Sequence, residues 1–324
     1  YQMCPFLLQF LDPRGLEHKY SSRSSHEMFY IVGRSSELLF GNSNRKRHRS
    51  VTTAKESLRV LAHRARLSVI EMAHRAHKGH IGSALSIVDL TVAVARNMEL
   101  TSGANRSRLV LSKGHAASAW YAVLHEFGEL SSDELRSYGM SGTVLGTHPD
   151  PVQPQTDFMT GSLGQGIGFA VGSAMASKIS GNTFRVFSIL SDSELNEGST
   201  WESLHIASQH NLGQLTVLLD LNGQQALGMT TDVMNVGDVG DHLAGIGWNV
   251  IRVDGHDVDA ISDAIQSCES SPRPNLIIAT TIAGYPISFM MRKVEWHYLP
   301  LTETQYRQAL EEIEVDFNKQ SAVS

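Results

Sequence analysis

Residues 186–222, VFSILSDSELNEGSTWESLHIASQHNLGQLTVLLDLN, contain two short apolar runs separated by one helix's length of polar sequence. Val186–Leu190 and Leu215–Leu219 read as buried strands, and Ser199–His210 supplies the helix between them. In a parallel β-α-β unit both strands end on the same edge of the sheet, so Asp192 and Asn222, each just beyond a run, converge there. A carboxylate and an amide oxygen form a split site for a hard metal, suited to magnesium better than to zinc. Magnesium usually carries phosphate oxygens, so the spacing also points to a phosphorylated cofactor.

The same alternation extends outward. Leu58, Val60, Leu61, Ala65, Leu67, Ile70 and Met72 predict a long helix that stops before Gly79, and a second helix is expected over Ser86–Arg96. Leu109–Leu111 predicts a short strand leading into Ser112-Lys113-Gly114-His115 and a helix through Leu124, and further strands are expected at Asn249–Val253 and Leu276–Thr280. Strands alternating with helices imply an α/β fold, a mostly parallel sheet with helices on both faces. Ser141–Thr160 has no period and is long for a connection, as functional loops are.

Composition sets limits. The chain has 324 residues, 19% charged and 41% hydrophobic, with a net charge of −6 that argues against nucleic acid as a partner. Cys4 and Cys268 lie far apart without metal-ligand or disulfide spacing, which suits a reducing cytoplasm. No apolar run is long enough to span a membrane, and the first residues lack the features of a secretion signal. Residues 1–50 carry a net +4 and the remaining 274 a net −10. We read 1–50 as a poorly ordered extension, with a transit peptide or a basic docking arm as alternatives, and 51–324 as the folded domain.

Two further patterns bear on chemistry. Thr160-Gly161-Ser162-Leu163-Gly164-Gln165-Gly166 runs into a small-residue helix, an arrangement that lets backbone amides approach an anion or simply makes a tight turn. Four histidines, His80, His115, His148 and His256, follow or adjoin glycines at predicted strand ends and loops. Such positions gather on one sheet edge, where neutral imidazoles can move protons near pH 7. His74, His77, His125 and His210 are assigned to helical stretches without a role in the chemistry.

Taken in order, KGHIGSALSIVDL (78–90), LSKGHAASAWYAVL (111–124), GTHPDP (146–151), TGSLGQGIGFAVGSAMASK (160–178), SDSELNEGSTWES (191–203), LLDLN (218–222), VDGHD (253–257) and VEWHYLPLTETQYRQAL (294–310) resemble the N-terminal, thiamine diphosphate-binding half of transketolase. The spelling is most similar to split transketolases, in which two chains share the work. The resemblance implies magnesium or calcium at Asp192, Asn222 and the Gln224 backbone carbonyl, joined by the cofactor diphosphate. It implies cofactor contacts from Gly161, Ser162, Leu163, His115 and His297, with Ser193 standing at a cofactor-facing glycine position. His80, His115, His148 and His297 match active-site histidines, and Glu197 matches a structural Glu beneath the site, linked to the cofactor sites of paired subunits.

The implied reaction is transfer of a two-carbon ketol unit from a ketose to an aldose. It also implies a partner: a C-terminal subunit whose pyrimidine-binding domain supplies the Glu that activates the cofactor, together forming a heterotetramer acting on sugars or sugar phosphates. Another carbon–carbon bond-forming thiamine diphosphate enzyme, or a non-catalytic companion of a transketolase chain, are the competing expectations. Two departures stand out. Ser193 replaces a glycine, and its Cβ is expected to crowd the diphosphate or demand an unfavourable backbone angle. Ile282-Ala283-Gly284-Tyr285-Pro286 replaces Val-Lys-Gly-Lys-Gly, removing two positive charges near the site.

Overall fold

The computed structural model describes residues 56–100, 106–153 and 155–323; the expectation for residues 1–50 lies outside them. Five strands form one wholly parallel sheet: β1 (Arg108–Leu111), β2 (Val186–Ser191), β3 (Leu215–Leu221), β6 (Asn249–Asp254) and β7 (Asn275–Thr280), in the order β1-β2-β3-β7-β6. Between β3 and β6 lies a two-residue antiparallel ribbon, β4 (Gln224–Gln225) with β5 (Gly228–Met229).

Residue alternation along the strands divides the core in two. Leu109, Leu111, Phe187, Ile189, Leu218, Ile277 and Ala279 enter one apolar cluster. Their neighbours Val110, Val186, Leu190, Val217, Leu219, Leu276 and Ile278 enter the other. Both sheet faces are therefore buried, which is why these runs look continuously apolar in sequence.

Over the first face pack α1 (Leu58–Ala76), α3 (Val88–Asn97), α4 (Ala117–Glu126), α10 (Val258–Ser267) and α11 (Glu303–Val323), which contribute Val69, Val92, Tyr121, Ile261 and Ile313 to its cluster. The second face is covered by α6 (Gly166–Ile179), α7 (Gly198–Gln209) and α9 (Val239–Gly245). The short helices α2 (Ile81–Leu85), α5 (Ser132–Arg136) and α8 (Thr230–Val233) complete the set among the described residues.

Two helix boundaries differ from the sequence expectation. The helix expected from Ser86 begins instead at Val88, after a break at Ser86–Ile87. There the Ser86 hydroxyl donates to the Ser83 carbonyl and, at 2.8 Å, to Asp220, a tertiary demand that overrides local helix propensity. His77 and His210 are cap residues that end α1 and α7 and do not lie inside them; His77 adopts left-handed φ 48°.

Candidate active site

Because the sheet is parallel, the segments that follow β1, β2, β3 and β7 emerge on one edge. Ser112–His115, Asp192–Asn196, Asn222–Gln224 and the long segment 281–298 meet there with α2 and the glycine loop 161–164.

His80 is the hub. It sits at left-handed φ 62° just before α2, a strained conformation held by donation of its backbone N–H to the His297 carbonyl at 2.9 Å. Its ring centroid lies 5.3 Å from His115, 5.0 Å from His297 and 6.3 Å from His148. His115 and His297 are themselves 5.2 Å apart. The four histidines singled out as catalytic candidates thus form one cluster.

All four rings are held below the ordinary imidazole value, and burial is the largest cause for each. The Lys113 charge adds to the effect at His115, and His80 and then Lys113 add to it at His297, which falls to about 4. Four neutral imidazoles are the result. Nδ1 of His297 lies 3.3 Å from the Ser83 hydroxyl, and Nδ1 of His148 lies 3.2 Å from that of Thr147. Each pairing leaves Nε2 clear of that partner.

His256 does not join them. Its Nδ1 faces the Asp89 carboxylate at 3.2 Å, and its Nε2 accepts the Ile282 N–H at 2.9 Å. With both nitrogens engaged, it is a fixed structural residue.

Asp192 and Asn222 directly follow the ends of β2 and β3 on this edge, as the spacing predicts. Asp192 opens a 3-10 turn after β2; its Oδ2 accepts the Gly223 N–H at 2.6 Å, while its buried Oδ1 has no hydrogen-bond partner among the described residues. Burial first, and then the Asp220 carboxylate, push its pKa up to about 7. That is the signature of an anion short of a counter-charge, and a divalent cation against Oδ1 would supply it. Asn222 Nδ2 donates to Asp220 at 2.8 Å, which turns Oδ1 away from Asp220, where it accepts the Gln224 N–H at 2.8 Å. No group of three or more His, Cys, Asp or Glu able to hold a metal occurs among the described residues. One carboxylate with amide oxygens therefore suits a metal completed by an anionic ligand, as magnesium with a phosphate would be.

Gly161 and Ser162 are exposed and Leu163 is half-buried, so the glycine loop presents open backbone. Two of its neighbours require glycine. A Cβ on Gly114 would come within 2.6 Å of the Thr160 carbonyl oxygen, and Gly164, at φ 79°, would press one against Glu197 at 2.5 Å.

Two site features have no role assigned from the sequence. Glu194, wholly buried, accepts from the Ser112 hydroxyl, the Gly164 N–H at 2.9 Å and the Ser191 N–H at 3.0 Å, tying three segments of the edge together. The sequence does carry a signal for it: Ser191-Asp192-Ser193-Glu194 is a capping box. Glu197, matched to a structural Glu linked to paired subunits, lies at the start of α7 and is exposed in the single chain. Asp220 is the second feature. Wholly buried, it receives the Lys113 ammonium, the Ser86 hydroxyl at 2.8 Å, the Asn222 amide at 2.8 Å and the Thr281 hydroxyl.

Ser193 corrects part of the expectation attached to it. It lies within the 3-10 turn and is not among the residues with positive φ, so its side chain imposes no unfavourable backbone angle. Its hydroxyl pairs with that of Ser191 at 2.6 Å.

Residues 57–324 match the family described as transketolase, thiamine diphosphate binding domain. The chain is 30% identical over 264 residues to an apulose-4-phosphate transketolase subunit of Phocaeicola vulgatus, covering 80% of this chain and 94% of that protein. It is 36% identical over 266 residues to human transketolase, again 80% of this chain but only 42% of that protein. Among solved structures, the transketolase of Campylobacter jejuni superposes with a TM-score of 0.75 at 28% identity, covering 79% of this chain and 42% of that one. The match thus takes in less than half of the human and Campylobacter chains and nearly the whole of the Phocaeicola one. The chain belongs to the transketolase family, as its N-terminal, thiamine diphosphate binding part.

Proposed function

We propose that this chain is the N-terminal subunit of a split transketolase. In this reading it binds thiamine diphosphate through Mg2+ or Ca2+ at Asp192, Asn222 and the Gln224 carbonyl, and transfers a two-carbon ketol unit between sugars or sugar phosphates. The observation that carries it is the cluster of four histidines, three with ring centroids 5.0–6.3 Å from that of His80, on the same sheet edge as Asp192 Oδ1, which has no partner among the described residues. When bound, the cofactor supplies the electron sink for breaking and forming the carbon–carbon bond.

The chain's own residues supply positioning and proton movement. Gly161, Ser162 and Leu163 offer open backbone to the cofactor, beside Ser193 at the metal end. His115 and His297, kept neutral, accept hydrogen bonds from or donate them to the bound cofactor without adding charge. His80 and His148 take a proton from a sugar hydroxyl and return it, a role suited to imidazoles that are uncharged at pH 7. We assign Glu197, which is exposed at the start of α7, to contact with a neighbouring protomer.

A partner chain follows from the same reading. The Phocaeicola relative is one subunit of an apulose-4-phosphate transketolase, and another relative, 33% identical, is subunit SqwG of a 6-deoxy-6-sulfo-D-fructose transketolase from Clostridium sp.. We assign this chain a C-terminal partner with the pyrimidine-binding domain, in a heterotetramer. We place the pair in the cytoplasm, a setting that suits Cys268, a buried free thiol. No helix among the described residues is long and apolar enough to cross a membrane.

The test is titration of the chain, alone and with its partner, with thiamine diphosphate and Mg2+, followed by a ketol-transfer assay. Metal-dependent binding abolished by Asp192→Ala, together with transfer to an aldose, is the expected result. Binding without transfer to any aldose would favour a different carbon–carbon bond-forming enzyme. No binding at all would leave the non-catalytic companion.

A further inference from the structure

A shallow cleft opens at the candidate site, lined by Ser83, Asn222, Gln224, Ala283, Lys293 and His297 among others. Most of its polar groups are already engaged. Ser83 pairs with His297, the Asn222 amide is held by Asp220 and the Gln224 N–H, and the Gln225 amide donates to Asn196 at 3.0 Å. Besides Nε2 of His297, two donors remain. Among the described residues Gln224 Nε2 is buried with no hydrogen-bond partner, and the ammonium of Lys293, an exposed residue, has no ion-pair partner. No carboxylate lines the cleft, and Lys293 is its one lysine or arginine.

A buried orphan donor and an unpaired cation facing one cleft call for an acceptor-rich anion. We propose that the side chains of Gln224 and Lys293 form a phosphoryl-binding subsite that grips the terminal phosphate of the cofactor diphosphate. This rests on the cofactor reading above and goes beyond it, because there Gln224 acts only through its backbone carbonyl and Lys293 has no role. The same cleft holds the Asn222 amide, a proposed metal ligand, which places the cofactor's phosphate here in preference to a sugar's. The neighbouring 282–286 segment contributes only Ala283 to the lining, so Lys293 provides the charge that this segment lacks.

The experiment is calorimetric titration of the full chain with Mg2+ and, separately, pyrophosphate, thiamine diphosphate, thiamine and ribose 5-phosphate. Lys293→Gln is expected to weaken pyrophosphate and thiamine diphosphate about tenfold, with a shallower dependence on salt, and to leave thiamine unchanged. Gln224→Leu, which keeps the backbone carbonyl, is expected to weaken the same two ligands. Adding Ala283→Lys to Lys293→Gln puts an ammonium back into the same cleft and is expected to recover most of the loss. Unchanged affinity of Lys293→Gln for both diphosphates overturns the subsite, as does a loss confined to ribose 5-phosphate. A wild-type chain that binds neither diphosphate, alone or with its partner subunit, overturns the cofactor reading itself, a result separable from the first because no variant is needed to see it.

Discussion

The two walls of the cleft are held in different ways. On one side, the ends of β1, β2 and β3 are cross-linked by two wholly buried carboxylates, Glu194 and Asp220, whose hydrogen-bond partners come from other strand ends and loops. On the other, the 281–298 segment that carries His297 is anchored to Asp220 at Thr281 and to His80 at His297, while its middle is also fastened from outside. The Tyr285 ring stacks on His256 at 4.0 Å, its hydroxyl donates to Asp316 at 2.9 Å, and Ser288 bonds Glu312 of α11. Neither Glu194 nor Asp220 can be exchanged without stranding several polar groups in the core. At Tyr285 and Ser288 the attachments are more peripheral, and one aromatic stack can do the work of another set of contacts.

The contrast is tested most severely at Lys113. Lys113→Met leaves the Asp220 carboxylate buried without a counter-charge and is expected to cost about 3–5 kcal/mol of stability in urea unfolding. Lys113→Met with Asp220→Asn should recover most of that; failure to do so would mean that the pair matters through packing alone. Next comes Glu194→Ala, which strands the Ser112, Gly164 and Ser191 donors and should cost about 2–3 kcal/mol in the same measurement. On the outer wall, Tyr285→Phe keeps the stack but loses the bond to Asp316. It should cost only about 1 kcal/mol, and a larger loss would erase the difference between the walls.

The last effect expected is a slope. The four cluster histidines resist protonation in the folded chain, so below the ordinary value of 6.5 the unfolded chain binds more protons. Stability present above pH 6.5 should therefore be lost as the pH falls towards the His297 value of about 4. His297→Gln should flatten part of that slope, measured by urea unfolding at pH 7.5, 5.5 and 4.5.

Much of this is legible in the sequence wherever one segment carries its own signal. The apolar runs before Asp192 and Asn222 locate β2 and β3, and the glycine-adjacent histidines locate most of the cluster. Residues whose importance depends on distant partners are harder to see. Glu194 and Glu197 are three positions apart in one turn, and only the fold shows which of them is buried. Tyr285 reads as a lost lysine until His256 and Asp316 are found on either side of it. Asp220 looks like one more residue of an apolar strand end, although four side chains converge on it.

That convergence has a consequence for Asn222. An amide can turn over, exchanging an oxygen for an NH2 group and so an attraction for cations for one towards anions, with almost no change in shape. Asp220 can only accept from it, so the flipped form would set oxygen against oxygen in a dry interior. The choice of the ion proposed for this edge of the sheet would therefore be made by a residue outside its proposed ligand set.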